Sequence, residues 1–320
     1  MRILSGIQPS GTLHIGNYFG AMKRHVEQQA KGDAFYFIAD LHALTTVQNA
    51  EALRSNVLNQ SLDYLAVGFD PKKCTFYRQS DLTEVTELAW YLSCVTPMGL
   101  LERCHSYKDK VAKKLIASHG LFAYPVLMAA DILIVRADVV PVGKDQKQHV
   151  EVTRDIALKF NNTFGETFPI PEVDIAKEVA VVPGIDGQKM SKSYDNTIGI
   201  FEDEGSIKKK VMSIKTDSKN LGESLDPKNC NVFDLYKLVA SAADLKRMEA
   251  DYRSGAIGYG DAKKRLLEAL LSYFKPFKEQ RAKLAKDPAY IEKVLKEGAS
   301  KARATASKVM EDVRKKVGVK

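Results

Sequence analysis

Two short stretches carry side chains suited to handling phosphate. The first is Ser5-Gly6-Ile7-Gln8-Pro9-Ser10-Gly11-Thr12-Leu13-His14-Ile15-Gly16-Asn17, with three glycines, a proline, a histidine and no acid. It follows the apolar pair Ile3-Leu4 and precedes a helical pattern opening near Asn17, so it reads as a strand-to-helix turn. Glycine lets backbone come close to a ligand, and a helix start offers unpaired N–H groups and a positive dipole end. His14 and Asn17 add side-chain donors at that mouth. An ordinary βα turn has the same outline, and short Gly-rich motifs match by chance. The lysine of a Walker A loop and the glycine spacing of a dinucleotide GxGxxG are both missing.

The second stretch is Gly187-Gln188-Lys189-Met190-Ser191-Lys192-Ser193, bounded by Pro183-Gly184 and Asn196. Two ammonium groups this close repel each other unless an anion sits between them. A solvated surface loop has the same composition. Three further places hold polar groups in apolar company. Asp40-Leu41-His42-Ala43-Leu44-Thr45 follows the apolar run 34–39, at the strand end where open α/β sheets bind ligands. Asp131 lies within Met128-Ala129-Ala130-Asp131-Ile132-Leu133, where a carboxylate is costly unless paired or capping a helix; Tyr124 shares its helix face. Gly143-Lys144-Asp145-Gln146 opens a helix at 150–160, and Asp145 suits an N-cap.

The elements that must position these residues alternate. Helices are expected at 17–30 and 51–67, and strands near 3–4, at 34–39 and at 74–78. A further helix is expected at 122–130, a strand at 132–142, and strand-rich sequence at 173–182. This βαβαβ rhythm predicts a Rossmann-like, doubly wound parallel sheet of the α/β class. Residues 82–101 are helical and poor in charge, which suits either a buried core helix or a subunit interface. Residues 103–114 are basic, as a solvated linker or a phosphate contact would be. From 231 to 317 the pattern is nearly all helical, broken at Gly255 to Gly260 and kinked at Pro276. The sequence thus predicts a catalytic domain over 1–193 and an all-helical domain over 194–320.

HIGN at 14–17 followed by KMSKS at 189–193 resembles the signature pair of class I aminoacyl-tRNA synthetases. Together with SGIQPSG, DLHALT, YPVLMAADIL and VPVGKDQKQHVEVTRD, in this order, the chain resembles the tryptophanyl-tRNA synthetase family over its first two-thirds. The resemblance implies a two-step reaction: the carboxylate of tryptophan attacks the α-phosphorus of ATP, and the activated acyl group then passes to the 3′ end of tRNA(Trp). It implies that Lys189 and Lys192, helped by Lys110, stabilise charge on the phosphates. ATP contacts are implied at Gln8, Pro9, Ser10, His14, Gly16, Asn17, Gly143, Lys144, Asp145 and the lysine loop Lys189, Met190, Ser191, Lys192 and Ser193. For the amino acid, Asp131 accepts from the indole N–H, and Leu4, Met128, Val140 and Val142 line the slot with His42 near the ring. Tyr124, Gln146 and Gln8 fix the α-amino and carboxylate groups. Magnesium arrives with the ATP phosphates, the assembly is a homodimer joined through the 82–101 region, and the tRNA anticodon lies on the helical domain.

Departures are visible. Leu41 stands where many members have Gln and Lys144 where many have Glu; His105-Ser106-Tyr107 replaces the commoner Thr-Gln-Phe, and the segment before KMSKS is short. These put substrate affinity and inhibitor sensitivity in doubt, not the reaction class. The tyrosyl-tRNA synthetases are near neighbours, and the complete KMSKS and GKDQKQHVEVTRD runs favour tryptophan over them. A non-tRNA nucleotidyltransferase shares a related histidine motif, and a non-catalytic RNA-binding relative would be expected to have lost the lysine loop.

The bulk properties agree with this reading without deciding it. The chain has 320 residues, 45% apolar and 28% charged, with a formal net charge of +8 that suits a polyanionic partner or mere solubility. No run reaches membrane-spanning length and no charged-then-apolar leader opens the chain, so a cytosolic protein is expected. Cys74, Cys94, Cys104 and Cys230 are scattered, as reduced thiols are, and the six histidines form no HxxxH or HExxH pair, so no protein-held metal is expected.

Overall fold

The computed structural model of the chain describes residues 1–9, 11–112, 118–143, 146–175, 181–220 and 222–319, apart from the side chains at 106 and 109–111. Five parallel strands form one sheet: β1 (Arg2–Ile7), β2 (Asp33–Ile38), β3 (Thr75–Arg78), β4 (Val139–Val142) and β5 (Glu172–Ile175), in the order β3-β2-β1-β4-β5. β1 pairs with β2 from Arg2↔Asp33 to Ile7↔Ile38 and meets β4 at Ile3↔Val139. The winding therefore reverses between β1 and β4, which makes their C-terminal ends the switch point where such sheets bind ligands. This is the doubly wound architecture read from the alternating pattern.

Side chains alternate between two cores. Ile3, Tyr36, Ile38 and Phe76 point to one face and Leu4, Phe35, Phe37 and Tyr77 to the other. The connecting helices cover both: α1 (Ile15–Asn17), a π-type turn at Tyr18–Met22 and α2 (Lys23–Gln28), then α3 (Asp40–Ala43) and α4 (Ala50–Ala66). Gly68, at φ +113°, ends α4 in a conformation that favours glycine. The second face carries α5 (Glu84–Val95), α6 (Met98–Glu102), α7 (His105–Ala112), α8 (His119–Ile134) and α9 (Lys147–Phe164).

Two expectations change here. The apolar run 132–135 is the end of α8 rather than the start of a strand; only Val139–Val142 is extended. Ile132, Leu133 and Ile134 are buried all round, and a fully buried helix turn has the same apolar signature as a buried strand. The basic segment after Arg103 is helical, forming α7 rather than a linker. Thr96-Pro97 divides the long helix expected over 82–101, because proline disfavours helix at the residue before it.

The remaining chain is helical: α10 (Glu204–Met212), α11 (Asn231–Val239), α12 (Ala242–Ser254), α13 (Tyr259–Leu284) and α14 (Pro288–Val317). α13 runs through Pro276 without ending. Tyr18 and Phe19 of the π-type turn pack against Tyr273 and Phe274 of α13, edge-on except for the tilted Phe19–Tyr273 pair, which seats the first βα connection on the helical region. α14 begins in the first core with Ile291, Val294 and Leu295 and ends in the second with Ala302, Ala306 and Val313. It passes the edge strand β3 at Gly298, where a Cβ would stand 1.8 Å from the Phe76 carbonyl oxygen. Only glycine permits that approach, and the helix covers a strand edge that would otherwise invite pairing.

Candidate active site

The turn after β1 folds back on itself at His14. His14 caps α1: its Nδ1 accepts from the Asn17 backbone N–H at 3.3 Å, and Asn17 Oδ1 accepts from the His14 N–H at 3.3 Å. Burial, with Lys192 and Lys210 nearby, lowers the imidazole pKa from 6.5 to about 4. His14 is therefore neutral at pH 7, and because Nδ1 accepts, Nε2 carries the proton and is a donor. The capping pair fixes the ring without using that donor.

The lysine loop lies against this turn. Residues 182–190 form a tight hairpin, with Met190 N–H donating to the Val182 carbonyl at 2.9 Å and Gly184 N–H to that of Gln188 at 2.7 Å. The strand-like stretch after the loop then pairs with the first turn: Ile15 N–H donates to Ile198 O and Ile200 N–H to Leu13 O, each at 3.0 Å. Met190 is buried beneath Gly16, whose N–H points at its sulfur at 3.3 Å. A Cβ on Gly16 would crowd the His14 ring and Met190 at 3.0–3.2 Å, which explains the glycine there. Lys189, Lys192 and Ser193 are exposed, and Lys192 Nζ reaches 3.8 Å from where a Gly11 Cβ would stand. Thus two motifs more than 170 residues apart in the chain meet on one face.

Asn196 holds the loop in shape. It is 1% exposed; its Oδ1 accepts from Ser191 N–H at 2.7 Å, and its Nδ2 donates to Asp186 Oδ1 at 2.8 Å and Lys189 O at 3.1 Å. A second buried group faces both motifs from beneath. Asp63 of α4 pairs with Arg281 of α13 at 2.6 Å, takes a hydrogen bond from the Leu13 backbone and lies in the field of Lys192. Burial pushes its pKa up, and Arg281 opposes that.

Beside this face, at the C-terminal ends of β1 and β4, a cavity of about 470 Å³ enters the sheet. All nine residues assigned to the amino acid line it: Leu4, Gln8, His42, Tyr124, Met128, Asp131, Val140, Val142 and Gln146. Asp131, 2% exposed, is the charged group in its floor. It caps nothing; its Oδ2 accepts from His42 Nε2 at 2.8 Å, and Gln79 Nε2 lies 2.8 and 2.9 Å from its two oxygens. Burial raises its pKa, and the bonds from His42 and Gln79 offset that only in part. His149 bridges the opposite wall, bonded to Tyr124 Oη through Nε2 and to Gln146 Oε1 through Nδ1 at 2.7 Å.

Of the residues assigned to the nucleotide, Pro9 is buried beside Gln8 in the first turn, and Gly143 sits exposed at the end of β4, accepting from Gln146 N–H at 3.0 Å. Ser10, Lys144 and Asp145 lie outside the described residues, as does the side chain of Lys110 on α7. Four polar residues here escaped the sequence reading: Gln79, Asn196, His149 and Asp63. Gln79 alone had a usable signal, since it directly follows β3 on the sheet edge where ligands bind. Among the described residues, no group of three or more His, Cys, Asp or Glu side chains converges to hold a metal.

Comparison with known proteins places this geometry in context. Residues 1–275 match the family model of class I tRNA synthetases for W and Y. The tryptophan–tRNA ligase of Campylobacter jejuni strain RM1221 is 52% identical over 319 residues, covering 100% of both chains. That of Fusobacterium nucleatum is 53% identical, covering 99% of this chain and 98% of its own. A crystal structure of the Campylobacter jejuni tryptophanyl-tRNA synthetase complexed with ADP and tryptophan superposes with a TM-score of 0.95, at 52% identity, over 99% of this chain and 100% of that one.

Proposed function

The chain belongs to the class I tRNA synthetases of the tryptophan and tyrosine group, and we infer that its activity is that of a tryptophan–tRNA ligase. It activates L-tryptophan with ATP to the adenylate and pyrophosphate, then transfers the acyl group to the 3′ end of tRNA(Trp). The observation that carries this reading is a buried carboxylate, Asp131, in the floor of an apolar cavity beside the joined HIGN and KMSKS segments. An acceptor so placed suits the indole N–H, and a ring without that donor would strand it. Leu4, Met128, Val140 and Val142 give the flat apolar walls, and Tyr124, Gln146 and Gln8 hold the polar end of the amino acid.

The nucleophile of the first step is already a carboxylate, so no side-chain base is needed. What the protein supplies is positive charge where charge accumulates, on the phosphates and the leaving pyrophosphate. Lys189 and Lys192 fill that role from the loop, with Lys110 assisting, and the Nε2–H of His14 donates to the triphosphate from below. Magnesium enters with ATP as part of the substrate. Residues 1–193 form the catalytic domain, and the helical residues 194–320 take the anticodon side of the tRNA; the +8 charge supports phosphate contacts that weaken with salt. The homodimer forms through the α5–α6 face, where Trp90 is 70% and Met98 62% exposed. No helix among the described residues is long and apolar enough to cross a membrane.

The test is ATP–pyrophosphate exchange with each of the amino acids in turn, followed by charging of bulk tRNA. Exchange with tryptophan alone and charging of one acceptor are expected. Exchange with tyrosine, or none with any amino acid, overturns the reading.

A further inference from the structure

Gln79 touches no part of the cavity surface and lies wholly behind Asp131, at 0% exposure. It leaves β3 at the sheet edge, and its amide is clamped from both ends. Its Oε1 accepts from the Leu41 N–H at 3.1 Å, so its NH2 must face the Asp131 carboxylate, 2.8 and 2.9 Å from the two oxygens. Flipping the amide would set a carbonyl oxygen against a carboxylate and leave the Leu41 contact with two donors. The clamp is itself anchored, since Ser80 donates to Asp40 through its N–H at 3.0 Å and through Oγ at 2.5 Å, tying the ends of β2 and β3 together.

We propose that Gln79 is a positioning residue for amino-acid selection: it keeps Asp131 ionised in the empty cavity and presents Oδ1 as the acceptor for the indole N–H. This rests on the tryptophan reading of the cavity. The choice of oxygen follows from counting. A carboxylate oxygen has about two lone-pair sites. Oδ2 already takes His42 and shares Gln79, whereas Oδ1 has Gln79 only, so Oδ1 has the open site. Ionisation matters because a protonated carboxyl turns partly into a donor and tolerates a ring without an N–H. The groups that face Asp131 are His42 and Asp40 from α3 and Tyr77 from β3; of these Asp40 opposes its ionisation and His42 favours it. Removing the Gln79 donor leaves His42 to carry the charge alone.

The experiment is pyrophosphate exchange by Gln79→Met, with L-tryptophan and with the benzothiophene analogue that carries sulfur in place of the N–H, across pH 5.5 to 8.5. The expected result is a loss of about 10- to 100-fold in kcat/KM for tryptophan, the range of a hydrogen bond to a charged group. It comes with an unchanged KM for ATP, a tryptophan-to-analogue preference reduced by a similar factor, and a new fall in kcat/KM as pH drops, as Asp131 takes up a proton. Gln79→Glu keeps the volume and the acceptor for Leu41, so it reports if the methionine variant melts early; it should show the same acid fall, at higher pH. Equal losses for tryptophan and ATP with an unaltered preference and pH profile would make Gln79 a packing residue and overturn the proposal. Failure of the underlying reading looks different: the wild-type protein would give no preference over the sulfur analogue, or Asp131→Asn would leave that preference intact.

Discussion

The Asp131 cavity, which we assign to the amino acid, and the lysine-loop face, which we assign to the phosphates, lie side by side and are built on opposite plans. In the cavity the polar groups are committed before any ligand arrives. Asp131, Gln79, Leu41, Asp40 and Ser80 form a connected set of hydrogen bonds at the ends of β2 and β3 that leaves one acceptor site on Asp131 Oδ1, and His149 locks Tyr124 to Gln146. At the phosphate face the backbone is committed, by Asn196, by Met190 under Gly16 and by the pairing of 13–15 with 198–200, while Lys189 and Lys192 are exposed residues of the loop, the second partly desolvated in the field of Asp63. The difference follows from what each must recognise. One neutral N–H is told from a near-isostere only by a rigid, desolvated acceptor. A triphosphate is recognised by charge, which acts at longer range and tolerates looser geometry.

The contrast makes the two faces separable by mutation, and the largest separation belongs to Asp131→Ala. It should lower kcat/KM for tryptophan on the order of 10³-fold, between a lost charged hydrogen bond and full stranding of the partner. The KM for ATP should stay within about twofold, since the lysine loop assigned to the phosphates is a separate set of groups. Pyrophosphate exchange read against each substrate in turn decides; matching losses would mean the cavity and the phosphate face are one cooperative unit, and the comparison would break.

Lys192→Ala should act on the other face. A loss of about 10²-fold in kcat for exchange is expected, as for one preorganised charge on a developing anion. The KM for tryptophan should hold, and a change there would show that the loop also shapes the cavity.

Asn196→Ala is a finer probe, because it removes no charge. Two of its hydrogen bonds hold the loop backbone and the third the Asp186 carboxylate, and losing them should misplace the lysines and cost roughly 10-fold in kcat. Gly184 lies against it, with the Asn196 amide 2.4 Å from where a Cβ would stand, so the alanine variant leaves space rather than a clash. Tryptophan affinity by direct titration should be unchanged.

These two plans also explain what was readable in the sequence. The phosphate face announced itself through motifs, because the reciprocal capping of His14 and Asn17 and two lysines about a buried Met190 are each satisfied within a few residues. The parallel sheet was readable because strands buried on both faces are continuous apolar runs. The end of α8 was not, since an all-round buried helix turn has no 3.6-residue signature. Asn196 and Asp63 were illegible for a different reason, and Gln79 was marked only by its place directly after β3. Each is a buried polar residue: the partners of Gln79 lie 38 and 52 positions away and that of Asp63 218, while those of Asn196 lie five, seven and ten away across a loop whose folding back the flanking residues do not mark. The path of α14 around β3 is of the same kind, since Gly298 looks like a helix defect until Phe76 is beside it.

The smallest effect expected separates the faces by protons. His14 and His25 both have pKa values lowered to about 4, chiefly by burial. His14 is lowered further by Lys192 and Lys210, His25 by Arg24. Between about 4 and the ordinary value of 6.5 the unfolded chain binds protons at these two sites and the folded chain does not, so both make stability fall as pH drops through that window. A triphosphate on the lysine face would cancel the field of Lys192 and Lys210 and raise the pKa of His14, while that of His25 stays where it is. ATP binding should then take up protons below pH 6.5 at His14, making affinity rise as pH falls, by less than about 10-fold. Titration calorimetry with a non-hydrolysable ATP analogue, in two buffers of different ionisation enthalpy, reads this directly. The nucleotide's own titration is common to wild type and His14→Gln, so the difference between them isolates the histidine. Identical proton uptake in both would place the triphosphate away from His14 and leave the lysines as the whole of the phosphate face.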